Sequence, residues 1–337
     1  MISFNHTFDF QARVSAAAGR AWRFSPMLTI LVAANIGLCV LALAGLLVDP
    51  RQILGAPAWA KTLKFSISVT IYGATLLWML SYVKSQPRAA KTVAFASGVT
   101  LLLEMMLIVL QALRGIPSHF NQSTPFDTLV WRTMSISIGI FYVFDIVGGV
   151  LLARERFANP VLGLGIKLGL GMALVGFGLG GLMTAPTSEQ LAALGRGGQL
   201  DFLGAHTVGA LIDGQTRMIP ILGWNMDGGD LRIPHFVGIH GAQIIPLIAL
   251  IALAYGARGL SVTRMRALVV MGAAAYFGLT MLVAWQALRN ESIASPGAET
   301  LAAAAILAAA TVLSAGVVLG RRPAADLPLP TMASRGD

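Results

Sequence analysis

Imidazole side chains are the first candidates for chemistry in this chain. Four of its five histidines, His119, His206, His235 and His240, lie in connections or at span ends on one predicted side of a membrane. Neutral imidazole is the usual nitrogen ligand for iron, copper and zinc. We therefore expect a metal site formed by these histidines with Asp230, or a b-type haem, since no CxxCH motif offers covalent attachment.

Segment 230–243 is the richest in such groups. His240 and Gln243 stand three apart and share a helix face. His240, Gln243 and Arg232 are the predicted cofactor-binding residues. His235 and His240 stand five apart, about 140° around a helix, so an undistorted helix does not let both bind one ion. The alternative is that the histidines near span ends are boundary residues that hydrogen-bond loop carbonyls.

A second polar set falls inside the predicted spans. Glu104 lies in the middle of the third span, where an ionised carboxylate is expensive and usually functional. Gln111 and Arg114 follow it on one face, and Lys64 and Arg132 could face this stripe from neighbouring spans. Glu104, Gln111 and Arg132 are the predicted catalytic groups, in a proton path or a pocket for an anion or a quinone-like headgroup. Structural ion pairs are the alternative.

Two neighbouring spans also carry packing signals. Asp145 and Lys167 lie at similar depth on adjacent antiparallel spans, which predicts a structural ion pair. Gly176 and Gly180 form a small-xxx-small pair that lets another backbone approach closely.

These residues need a membrane bundle to position them. The chain is 56% hydrophobic and 12% charged, whereas soluble domains carry about 25% charged residues. Eight continuous apolar stretches reach the length of about 20 residues that crosses a bilayer, and their continuity favours helices over a barrel. Pro246 is expected to kink the sixth and free a carbonyl near Ala242. The fold class is therefore an all-α polytopic bundle with spans at 27–48, 62–83, 92–113, 128–152, 160–184, 234–256, 265–288 and 299–319.

The charges of the connections predict an orientation. Basic residues concentrate in the even connections and at both ends of the chain, while acidic residues concentrate in the odd connections. By the positive-inside rule both termini are cytoplasmic, which agrees with an even number of spans. The predicted parts are a cytoplasmic arm (1–26), an eight-span domain (27–320) with an ordered extracytoplasmic loop (185–233), and a cytoplasmic tail (321–337). The expected location is a bacterial inner membrane, with no signal peptide.

The long loop has internal structure of its own. Residues 187–194 predict a short helix, with Thr187 or Ser188 as the N-cap and Gly195 as the stop. Residues 202–212 are apolar but too short to cross a bilayer, so they either lie on the surface or dip back into the protein. The loop is expected to be a lid or to form part of the site.

Known sequence motifs say little about the function of this chain. No Walker loop, GxSxG elbow, HExxH or EF-hand occurs. The single cysteine, Cys39, excludes an intrachain disulfide and a cysteine-based zinc site. Segments 118–121 and 230–243 resemble those of uncharacterised bacterial multi-pass membrane proteins. That resemblance covers most of the apolar chain and implies no particular activity.

Three functions remain open. The leading hypothesis is an integral membrane redox or cofactor-binding protein, an oxidoreductase with haem b or a transition metal ion near its extracytoplasmic face and a quinone or small hydrophobic ligand as partner. The second is a small-molecule or ion transporter that uses Glu104, Lys64 and Arg132. The third is a non-catalytic accessory subunit, with oligomers or partner subunits. The lipid bilayer is the expected surrounding of the chain. We expect no nucleic-acid partner, because the excess positive charge is spread over several short loops.

Overall fold

Helices account for nearly all the regular structure. The computed structural model describes residues 5–209, 217–220, 222–256 and 259–320. The predicted tail 321–337, the first four residues of the arm and positions 210–212 lie outside the described residues. The helices are α1 (Asn5–Phe24), α2 (Pro26–Val48), α3 (Ala60–Leu80), α4 (Pro87–Arg114), α5 (Pro125–Arg154), α6 (Pro160–Gly181), α7 (Ser188–Gly195), α8 (Arg232–Ile239), α9 (Gly241–Gly256), α10 (Val262–Leu288) and α11 (Ala298–Gly320).

Short elements fill two of the connections. Strands β1 (Gln52–Ile53) and β2 (Ala56–Pro57) form an antiparallel hairpin between α2 and α3, with Gln52 opposite Pro57. A single 3-10 turn, Leu182–Thr184, follows α6.

The span pattern confirms a multi-pass helical membrane protein. Seven helices are long and apolar enough to cross a membrane, and the bent pair α8 and α9 brings the number up to eight if that pair is one span. Proline occupies the first turn of α2, α4, α5 and α6, where its missing N–H costs no helical hydrogen bond. Because apolar length and such start signals are local, the predicted and observed ends agree within a few residues for most spans.

The sixth apolar stretch is bent at a different place from the predicted one. The axes of α8 and α9 differ by 41° at His240, whereas Pro246 lies inside α9. Glycines flank the bend at Gly238 and Gly241, and glycine weakens a helix interior. A Cβ at Gly238 would lie 2.4 Å from the Cα of Gly176 on α6. Close packing against α6 therefore accompanies the bend at His240, six residues before the proline.

Two apolar cores share α6. The larger core joins α2 to α6 around fully buried side chains such as Leu76 and Phe141. The smaller core joins α6 to α9 and α10 around Ile245 and Val269. Helix α11 is peripheral, since Thr300 is its one buried residue.

The predicted ion pair between Asp145 and Lys167 is wrong. Asp145 accepts a hydrogen bond from the Tyr72 hydroxyl at 2.7 Å. Lys167 instead donates to the carbonyl of Ala153 at 2.8 Å. That carbonyl is one of the last of α5 and lacks a helical partner, and it lies about 12 Å along the helix from Asp145. The lysine therefore satisfies the helix end rather than the deeper carboxylate.

One end of the bundle, here called the loop end, carries the connections 49–59 and 115–124, the described parts of 182–231, and the connection 289–297. The second and third of these pair with each other, because Leu203 donates its N–H to the Phe120 carbonyl at 3.0 Å and Gln122 donates to the Asp201 carbonyl at 2.7 Å. The short helix α7 is confirmed, with Thr187 as its N-cap in a capping box closed by Gln190.

Candidate functional site

The hairpin between α2 and α3 fixes the start of α3 at the loop end. Arg51 makes a salt bridge to Asp49 at 2.7 Å, and the indole N–H of Trp59 donates to the same carboxylate at 2.8 Å. These hydrogen bonds hold the pKa of Asp49 well below its usual range. A Cβ at Gly45 would lie 2.5 Å from the Trp59 ring. Because residue 45 is glycine, Trp59 packs directly on α2 and places Lys61 at the loop end of the bundle.

The connection after α4 folds back into the protein. Gly115 ends α4 with φ of 71°, a left-handed conformation that suits glycine. Ser118, Phe120 and Asn121 are all buried. His119 lies between them, with its ring edge-on to Phe65 of α3 at 5.9 Å between centroids. The loop therefore carries an imidazole down to the level of Glu104.

Four side chains, Glu104, His119, Lys61 and Ser118, meet there and are here called the Glu104 cluster. The Lys61 ammonium donates to Ser118 Oγ at 2.7 Å and approaches His119 Nδ1 at 3.0 Å. When Lys61 Nζ donates to Nδ1, the ring proton lies on Nε2. His119 Nε2 faces Glu104 Oε1 at 3.6 Å. A carboxyl, an imidazole and an amino group thus stand in sequence inside the bundle.

Glu104 is not fully satisfied by these contacts. The residue is 3% exposed, and its Oε2 atom has no hydrogen-bond partner among the described residues. Leaving a buried polar atom unpaired costs about 1–3 kcal/mol, and more when the group is charged. A carboxyl retained at that cost within a membrane span is a strong candidate for proton or ligand exchange.

His206 lies beside this cluster under an aromatic layer. Its ring is 5.0 Å from that of Phe120, which in turn packs at 4.9 Å on Trp131 of α5. Burial lowers the pKa of His206 well below its ordinary value, and Arg232 lowers it further. Burial likewise lowers the pKa of His119, and Lys61 adds to the effect. Both rings are therefore neutral near pH 7.

The two histidines of the bent span have separate partners. His235 Nδ1 lies 2.8 Å from the Gly176 carbonyl. The glycine pair predicted for packing makes room for that ring, because a Cβ at Gly180 would lie 2.6 Å from it. His240 Nδ1 lies 3.2 Å from Gln243 Oε1, while the amide of Gln243 donates to Thr75 on α3. The shared face of His240 and Gln243 is thus confirmed.

The predicted cofactor and metal groups near 230 are engaged in an ion pair. Arg232 binds Asp230 at 2.5 Å and also donates to the Gly223 carbonyl. Asp230 accepts the backbone N–H of Asn225 as well. In the described part of the chain, no group of three or more His, Cys, Asp or Glu side chains could hold a metal ion. The structure therefore does not assemble the predicted set of Asp230 with His119, His206, His235 and His240 into a metal site.

The predicted polar stripe divides into two clusters. Gln111 and Arg114 both bind Asp127, at 3.0 Å and 2.5 Å, and Thr124 donates to its other oxygen at 2.6 Å. These four residues are here called the Asp127 cluster. Asp127 stands in the first turn of α5, level with the end of α4, so it takes the two polar groups nearest that end. Glu104 lies about 10 Å deeper than Gln111 along α4 and pairs elsewhere.

Two predicted partners of Glu104 do not reach it. Lys64 donates to the Leu222 carbonyl at 2.7 Å, and Arg132 is exposed on α5. Lys61, which sequence reasoning missed, takes the position expected of Lys64. The two lysines stand three apart on α3, and the sequence carries no signal that selects the first, because the choice depends on where the 115–124 connection folds.

Comparisons with known proteins do not assign this chain to a family. No protein-family model, curated protein or solved structure matches this chain. The functional argument therefore rests on side-chain geometry.

Proposed function

We propose that this chain translocates protons, with the Glu104 cluster as the group that takes up and releases them. It thereby belongs to the ion-transporter class. The observation that carries the proposal is the unpartnered Oε2 of Glu104, beside an oxygen that faces the Nε2 of His119. A static ion pair is expected to satisfy both oxygens, whereas a proton carrier needs an oxygen that can gain and lose a proton.

The surroundings support exchange with the loop end. Lys61 contacts both His119 and Ser118, so a proton that arrives on the imidazole has neighbours that can shift their hydrogen bonds. The charges of the connections predict that the loop end is extracytoplasmic and that both termini are cytoplasmic in a bacterial inner membrane. Protons would then enter the Glu104 cluster from outside the cell.

Proton flux into vesicles tests this directly. The purified chain is reconstituted into lipid vesicles that enclose a pH-sensitive dye, and a potassium gradient with valinomycin makes the interior negative. We expect acidification about tenfold faster than in protein-free vesicles. Glu104→Gln, which keeps the shape and removes the acid, should return the rate to that of protein-free vesicles.

The matched control is Glu189→Gln, because Glu189 is exposed on α7. It should keep the wild-type rate. A wild-type rate equal to that of protein-free vesicles would overturn the proposal, and so would an unchanged rate in a well-folded Glu104→Gln variant.

A second candidate is the predicted redox or haem protein, and one observation favours it. The Gln243 amide donates to Thr75, so its Oε1 accepts from His240 Nδ1–H. The Gly176 carbonyl likewise accepts from His235 Nδ1–H. Each ring then presents Nε2 as a lone pair, the form in which imidazole binds iron. His235 and His240 would each offer a nitrogen ligand to a haem iron, which would supply the redox chemistry of this hypothesis.

A visible spectrum of the purified chain, oxidised and reduced, separates the two candidates. A Soret band that sharpens on reduction and disappears in His240→Ala would support haem, and near-stoichiometric iron or copper would support a metal. A colourless, metal-free sample would contradict this second candidate. A quinone or another hydrophobic ligand remains a prediction of the same hypothesis.

A further inference from the structure

Among the described residues, a second carboxyl group lies buried within the bundle without a cation. Asp145 on α5 is fully buried. Its Oδ1 accepts the Tyr72 hydroxyl at 2.7 Å, and its Oδ2 has no partner. Lys167, the basic residue expected nearby, is bound to the Ala153 carbonyl. Asp145 therefore repeats the feature that distinguishes Glu104, a buried carboxyl with one free oxygen.

The two carboxyls lie at different depths. Glu104 is ten residues, about 15 Å, from the loop end of α4. Asp145 is eighteen residues, about 27 Å, beyond Asp127 at the loop end of α5. Asp145 thus lies in the half of the bundle away from the loop end.

A line of hydroxyls begins at the upper carboxyl. On α4, Thr100 and Ser97 lie four and seven residues before Glu104, on the same helix face. Ser97 is fully buried, and its Oγ has no partner. Ser137 of α5 donates to the Thr100 carbonyl at 3.1 Å. The Thr100 hydroxyl itself donates to the Ala96 and Ser97 carbonyls, so the bond from Ser137 joins α5 to the backbone of α4 at this depth.

Aromatic rings separate that line from the lower carboxyl. Ser137, Phe141 and Asp145 are spaced by four residues on one face of α5. Phe141 is fully buried, and its ring meets that of Tyr72 edge-on at 5.8 Å. Phe177 of α6 closes the same site, 5.4 Å from Tyr72. Aromatic side chains therefore pack between Ser137 and Asp145, which stand about 12 Å apart along α5.

We propose that Asp145 and Tyr72 form a second protonation site, which the Phe141 ring separates from the Glu104 cluster. This inference rests on the proposed proton translocation and adds a second carboxyl to it. A proton binds the free Oδ2 to give a neutral carboxyl, while Tyr72 keeps its own proton and its hydrogen bond to Oδ1. Release returns the carboxylate, and no other bond changes.

The vesicle assay tests the lower site with two variants. Asp145→Asn removes the acid, and Tyr72→Phe removes only the hydroxyl. We expect proton flux to fall at least about tenfold in the first and by a smaller factor in the second. Matched controls are Asp201→Asn, at an exposed loop carboxylate, and Tyr142→Phe, whose hydroxyl donates to the Leu174 carbonyl. Both should keep the wild-type flux.

The outcomes separate the two proposals. If Glu104→Gln abolishes the flux while Asp145→Asn and Tyr72→Phe keep it, the lower site is refuted and proton translocation stands. An infrared difference spectrum between low and high pH provides a readout independent of flux. The protonated-carboxyl band should lose one component in Asp145→Asn and shift in Tyr72→Phe. A spectrum unchanged in both variants would overturn the lower site.

Discussion

Two clusters on α4 show what separates a structural carboxylate from a functional one. Asp127 receives Gln111 and Arg114 on one oxygen and Thr124 on the other. Glu104 is about as deeply buried, yet one of its oxygens has no partner and the other faces an imidazole at 3.6 Å. Buried polar groups in stable folds are nearly always paired. The Asp127 cluster therefore joins α4 to α5, whereas the Glu104 cluster keeps capacity for exchange.

The largest expected effect comes from breaking the satisfied cluster. Arg114→Met keeps the apolar stem of the side chain but leaves Asp127 with an uncompensated buried charge, so unfolding stability should fall by about 3 kcal/mol. Arg132→Met, at an exposed arginine of α5, is the matched control and should change stability by less than about 0.5 kcal/mol. Denaturant unfolding in detergent, followed by circular dichroism, measures both. Equal losses in the two variants would contradict the structural role of Arg114.

Acid should separate the clusters next, because only the Glu104 cluster has histidines in and beside it. Folding depresses the pKa of His119 and His206 below the ordinary value of 6.5. The unfolded chain then binds more protons below that pH, so stability is present above it and is lost as pH falls. From pH 6.5 to 5.5 the two rings together should cost about 2 kcal/mol.

Unfolding midpoints measured across that pH range check the sign. His206→Phe keeps an aromatic ring next to Phe120 and should remove about 1 kcal/mol, half of the loss that the two rings cause. A pH dependence left unchanged by His206→Phe would show that this ring is not held neutral in the folded protein.

Replacing the N-cap residues of α5 and α7 should give a smaller difference in stability. Thr124 caps α5 and also binds Asp127, so Thr124→Ala should destabilise the fold by about 1–2 kcal/mol. Thr187 caps the short helix α7, and Thr187→Ala should cost about 0.5 kcal/mol. Thr124→Ser keeps the hydroxyl and serves as the control. A larger loss of stability in Thr187→Ala than in Thr124→Ala would contradict this expectation.

The smallest effect on stability is expected at Glu104 itself. Glu104→Gln removes a buried acid that is only partly paired, so stability should change by less than about 1 kcal/mol or rise slightly. The same chemical unfolding measurement applies. A loss near that of Arg114→Met would place Glu104 with Asp127 as a structural residue.

Some residues of the candidate site could be predicted from the sequence, and their partners could not. The sequence singled out Glu104 because a carboxylate inside an apolar span is costly wherever it points. It also placed His240 and Gln243 on one face, since their spacing of three is local. Sequence reasoning selected Lys64 instead of Lys61 and grouped Gln111 with Glu104, because the sequence does not locate partners on other helices.

Longer-range contacts account for the remaining differences. The pair of Asp145 with Lys167 was expected from equal depth, but depth does not give the direction in which α5 and α6 face each other. The bend at His240 depends on the approach of Gly176 to Gly238, whereas Pro246 is the more visible helix breaker in the sequence.

The sequence by itself determined a multi-pass helical membrane protein and most of the helix ends. Apolar length, N-terminal prolines and cap residues act over a few positions, and a backbone in hydrocarbon has to satisfy its hydrogen bonds locally. Only the tertiary structure decided which groups meet Glu104 and Asp145. Those partners come from segments far apart in the chain, and the fold-back of residues 115–121 and the packing of α3, α4 and α5 bring them together.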